Sequence, residues 1–214
     1  MVLELNQVYT QLLSQPVSLR VITGDVATVD VDEAAGDDLL LSILGLRPLR
    51  GGVVSFDGAP LTPLSAPWFR RLTAFAPSTL NVVPDSAAER AMCGRGYHAG
   101  TLAEWCVEML GLPTSLMGNV ESEAALIGMD IQAVRQRPLA ELTVAERRQL
   151  LLAVAAARAP QLLLVSNAVC QEGYLQQLAR RRQLAVLSAG RPVTQAGEDG
   201  ADAPAVAAQV VNSI

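Results

Sequence analysis

The sequence predicts an α/β fold, a mostly parallel sheet covered by helices with an antiparallel β region near the start. Three observations predict it. Residues 2–31 hold short runs of alternating apolar and polar side chains, broken by tight-turn residues. Residues 162–165 (LLLV) and 184–187 (LAVL) are continuously apolar, as strands buried on both faces are. Helical stretches opened by capping residues alternate with those runs in the second half.

Taken in order, Val2, Leu3, Leu5 and Val8 alternate with polar residues and read as an edge strand. Residues 17–22 and 26–31 read as two more strands, joined by a turn at Gly24 and Asp25. An acidic, small-residue loop (DEAAGDD, 32–38) precedes an apolar helix over 39–46, which Pro48 stops. Gly51 and Gly52 read as a turn, 53–56 as a strand closed by the hairpin-type pair Asp57-Gly58. A short helix over 67–72 and a strand over 73–76 follow. The pattern weakens over 77–100, where Gly94, Gly96 and Gly100 suggest loops. Thr101 with Glu104 has capping-box spacing and opens a helix over 102–110, ended by Gly111 and Pro113. Residues 114–137 mix helix and loop. A second capping box, Thr143 with Glu146, opens the longest helix, 144–159, which Pro160 ends. Residues 172–182 form a helix whose last turn carries Arg180, Arg181 and Arg182, cations that suit its dipole. The Gly-, Ala-, Asp- and Pro-rich stretch from Gly190 reads as a loose tail with a short element over 206–214.

Composition bounds the function. The net charge of −5 repels phosphate backbones and argues against a nucleic-acid partner. Charged residues make up 17%, against about 25% in an average soluble chain; so weakly charged a surface suits a stable partner. Cys93, Cys106 and Cys170 have the spacing of neither a zinc site nor a disulfide framework, and read as reduced thiols of a cytoplasmic protein. The start, MVLELNQVYT, lacks the charge and apolar run of a signal peptide. The main apolar runs, 150–157 and 39–41, fall short of the roughly 20 residues a membrane span needs. No direct membrane insertion is expected, and membrane contact would go through a partner.

Over about residues 2–190 the order of these pieces resembles the nucleotide-binding domain of ATP-binding-cassette (ABC) transporters. Three stretches carry the likeness: GDVATVDVDEAAGDDLLLSILGLRPLRGGVVSFDGAPL (24–61), RRLTAFAPS (70–78) and PLAELTVAERRQLLLAVAAARAPQLLLVSNAV (138–169). They are similar to that family's phosphate loop with its helix, its glutamine loop, and its signature motif followed by the Walker B strand. The resemblance implies a P-loop NTPase-like fold with a small helical subdomain, about 79–140, inside a domain spanning 1–190, and a tail over 191–214.

Set against the family's chemistry, each catalytic element is replaced. A phosphate loop offers backbone amides, a lysine for the β and γ phosphates and a hydroxyl for Mg²⁺. The matching positions here are Ala34, Ala35, Gly36, Asp37 and Asp38, with Asp37 or Asp38 where the lysine belongs. A unit charge pair at ~4 Å is worth roughly 4 kcal/mol at an effective dielectric of 20, and an aspartate for the lysine turns an attraction of that order into a repulsion. The Walker B strand ends in Ser166 and Asn167 in place of the metal and general-base carboxylates. The signature glycines are Val144 and Ala145 within Leu142, Thr143, Val144, Ala145, Glu146. Ser78 stands at the glutamine position, and Ser188 with Ala189 where the switch histidine belongs. The one histidine, His98, lies in the irregular CGRGYHAG segment. Tyr9 lies near the place of the family's adenine-stacking aromatic, but a tyrosine at a strand end is more often there for packing.

These replacements imply no catalytic residues, no bound cofactor and no metal. The expectation is a pseudo-ATPase acting as a scaffold or regulatory subunit, partnered by a membrane permease, an active ABC ATPase subunit or a second copy of itself. The alternative is a binding protein or enzyme whose altered loop takes a non-nucleotide ligand, or a cation held by Asp32, Glu33, Asp37 and Asp38.

Overall fold

The computed structural model describes residues 1–78, 114–135, 137, 142–158, 160–166 and 172–191. The chain divides into two compact units, Met1–Ser78 with Pro160–Ile214, and Thr79–Ala159. The expected helix over 102–110, together with Cys93, His98, Cys106, Asn167, Cys170 and the tail from 192, lies outside the described residues.

The first unit holds two sheets. Strands β1 (Val2–Tyr9), β2 (Val17–Ile22), β4 (Gly51–Phe56) and β5 (Ala59–Pro60) form an antiparallel sheet in the order β2-β1-β4-β5. Strand β1 is therefore interior, not the edge strand its alternation suggested; its second neighbour, β4, arrives far along the chain. The alternation holds through Leu3 and Leu5 and then slips. Gln7 takes φ 49°, and the pairing of β1 with both neighbours shifts between residues 5 and 9. This bulge turns Val8 back toward the core. Opposite it, Gly52 (φ 81°) has no room for a side chain: a Cβ would fall 2.1 Å from the Gln7 carbonyl oxygen. Gly51 and Gly52 thus begin β4, where the sequence suggested a turn. Asp57 and Gly58 both have positive φ (48° and 80°), as a two-residue hairpin of this type requires.

Strands β3 (Val26–Val29), β6 (Thr73–Ala76), β7 (Leu162–Ser166) and β8 (Ala185–Ala189) form a parallel sheet in the order β3-β8-β7-β6. Every residue of β7 and β8 is buried, as continuous apolar runs under two covering layers require. Helix α1 (Glu33–Ile43) buries Leu39, Leu40 and Ile43 in one core shared by both sheets. Helix α2 (Ala66–Leu72) leads directly into β6.

In the second unit, a 3-10 turn (Thr114–Leu116) runs into α3 (Met117–Ile127), which Gly128 closes in the left-handed conformation (φ 85°). Helix α4 is Ile131–Arg135, and α5, Val144–Ala157, packs on α3. Back in the first unit, α6 (Glu172–Arg182) carries its three arginines in the last turn, as expected. No helix among the described residues is long and apolar enough to cross a membrane.

Candidate functional site

Helix α1 begins where the sequence suggested an open acidic loop. Only Asp30, Val31 and Asp32 separate it from β3; the run 33–38 is helical, and the helix ends at Ile43 instead of continuing to residue 46. Asp32 is the N-cap, with extended backbone (φ −62°, ψ 160°), and its Oδ1 accepts the Ala35 amide at 2.8 Å. Its carbonyl accepts the Gly36 amide at 2.9 Å. One amide otherwise left unpaired at this helix start, that of Ala35, is therefore already bound by the Asp32 carboxylate, while the Gly36 bond is the ordinary first bond of the helix. Ala34 is exposed, while Ala35 and Gly36 are buried.

Gly36 lies against the end of β8. A Cβ on it would sit 2.9 Å from the carbonyl carbon and oxygen of Ala189 and 2.9 Å from the Gly190 nitrogen. The glycine is what lets these two backbones approach.

Asp37 points to the parallel sheet. The Ser78 hydroxyl, buried just beyond β6, donates to its Oδ2 at 2.7 Å. Asp37 Oδ1 and Ser166 Oγ are both buried with no hydrogen-bond partner. Ser166 pairs with Ala189 across β7 and β8. By strand alternation it shares a face with Leu162 and Leu164, which join α1 in the core. With Gly36 over Ala189 on β8 and Asp37 reaching Ser78 beyond β6, the Ser166 hydroxyl lies on the strand between them.

Asp38 has a different environment. It is 2% exposed, and its Oδ1 accepts from Arg47 Nη1 at 2.7 Å. Its Oδ2 accepts the Leu12 amide at 3.3 Å. Burial pushes this carboxyl up; the Arg47 guanidinium, the Thr10 hydroxyl and the Leu12 amide outweigh burial and hold it below the usual aspartate range. Of these three, Thr10 Oγ1 reaches no hydrogen-bond geometry, so it acts only as a nearby dipole. Asp32, Asp37 and Asp38 thus have three separate sets of partners. The four-acid cation site is not assembled: among the described residues no three or more His, Cys, Asp or Glu side chains are grouped to hold a metal.

Leu142, Thr143, Val144, Ala145 and Glu146 belong to the second unit. Leu142 is buried; Val144 and Ala145 are exposed. Thr143 caps α5 in a full capping box. Its Oγ1 accepts the Glu146 amide at 3.2 Å, and Glu146 Oε2 accepts the Thr143 amide at 2.7 Å. Arg137 Nη1 lies 2.8 Å from Glu146 Oε1. The Thr143 backbone and hydroxyl and then Arg137 lower the Glu146 carboxyl from its usual value. Ser188 and Ala189 are buried at the end of β8. Tyr9 ends β1, where its carbonyl accepts the Arg50 amide at 2.7 Å. Sequence reasoning missed Arg47, Leu12 and the bond between Ser78 and Asp37, because each joins residues 9 to 41 positions apart.

The two sheets and their covering helices make up an ABC nucleotide-binding-domain fold. Solved structures agree. The ATP-binding subunit of an ABC transporter matches with TM-score 0.58 at 16% identity, over 89% of this chain and 80% of that one. A putative ABC transporter ATP-binding protein from Pyrococcus furiosus matches with TM-score 0.58 at 13% identity, over 91% and 94%. The cbiO1 protein from Clostridium perfringens, part of the ABC transporter complex cbiONQ, matches with TM-score 0.57 at 12% identity, over 88% and 78%. No protein-family model and no curated protein sequence matches the chain.

Proposed function

We propose that this chain is a subunit of a transport complex that neither binds nor hydrolyses ATP, and that it serves as a scaffold or regulatory partner of a membrane permease, an active ABC ATPase subunit or a second copy of itself. On this reading it is a cytoplasmic domain spanning 1–190, with a helical subdomain at about 79–140. The solved cbiO1 protein is itself part of a transporter complex.

One observation carries the proposal: the start of α1 is closed by the chain's own groups. The Asp32 carboxylate binds the Ala35 amide, Gly36 abuts the Ala189–Gly190 backbone, and Asp37 is tied to Ser78. A triphosphate would have to displace a carboxylate from the Ala35 amide and meet Asp37 without a lysine. The losses at Ser166, Val144 and Ala145 support the same reading.

Titration of the purified chain with MgATP, by calorimetry and thermal shift, tests it. A ligand at 100 times its dissociation constant adds about 2.7 kcal/mol of stability. In a chain of this size that is a rise of roughly 5–10 °C. Flat traces in both assays are expected, and a saturable shift overturns the proposal.

A further inference from the structure

We draw no further inference here: the strongest candidate, the group of polar side chains Asp37, Ser78 and Ser166 where α1 meets the ends of β6 and β7, belongs to the site already described, and nothing in the structure shows what its two unpaired oxygens would bind.

Discussion

Gly36→Ala separates a packing glycine from a remnant of a ligand loop. Inside a helix the exchange ordinarily stabilises by about 1 kcal/mol, because alanine restricts the unfolded chain and suits the helix. Here the new methyl meets three backbone atoms of Ala189 and Gly190 at 2.9 Å. Those atoms end β8, a strand bonded to β3 and β7 on its two sides, so they cannot swing away as a flexible side chain would. Overpacking of this kind costs about 2–3 kcal/mol, the upper part of its usual range. The net loss is about 1–2 kcal/mol, or a melting temperature lower by roughly 2–8 °C for a chain of this length. Gly173 in α6 is the control, since a Cβ there meets nothing within 4 Å. Gly173→Ala should leave stability unchanged or raise it by up to about 1 kcal/mol. Thermal melts of the three proteins, without nucleotide, decide the matter. A Gly36→Ala melt at or above that of Gly173→Ala would refute the close approach of α1 and β8.

Two further predictions concern the capping box and the buried acid. Thr143→Ala removes the N-cap of α5 and should cost about 1 kcal/mol, read by chemical denaturation; an unchanged midpoint would mean that the threonine serves something other than the helix. Asp38→Asn should cost about 2 kcal/mol, near the lower end for hydrogen bonds to a charged group, because the Arg47 side chain is half exposed and water can replace its partner. The Asp38 carboxyl is lowered in the folded state, so its contribution is complete above the unfolded aspartate value of about 4 and is lost as pH falls through the lower folded value. The gap between wild type and Asp38→Asn should therefore close on acidification below about pH 4, and a gap independent of pH down to full protonation would contradict the assigned cause.

What the sequence made legible was local. The capping box of Thr143 and Glu146 lies within four residues and is found as read. Strands β7 and β8 announce themselves by unbroken apolar runs. The interior place of β1 was hidden, because its pairing with β4 joins Leu3 to Phe56, and alternation reports only that one face is buried. The start of α1 was misread for a different reason. Asp32 followed by Glu33 and two alanines is a sound N-cap signal. Gly36 and the acids around it matched loop chemistry more strongly, and the contact with Ala189 that makes a mid-helix glycine worthwhile is not visible in one dimension. The polar cluster was half legible: Asp37 and Ser166 could be named as replacements, whereas the Ser78 bond could not be foreseen.

The neighbouring acids of α1 show how one acidic run does two jobs. Successive helical residues are turned about 100° apart, so Asp37 and Asp38 must face different parts of the protein. Asp38 meets Arg47 and the Leu12 amide just past β1, on the side of the antiparallel sheet. Asp37 meets Ser78 just past β6, on the side of the parallel sheet. The helix is thus held at its first turns by carboxylates bonded to the segments that follow β1 and β6 and to Arg47, and by Asp32 within itself. A helix start that serves an anion must keep its amides free and its surroundings positive. This one takes its negative charge from the chain, so its acids act on stability instead of on a ligand. That is why replacement of Asp38 is expected to appear in a melt and an acid titration, and why adding MgATP to the wild type is expected to change neither.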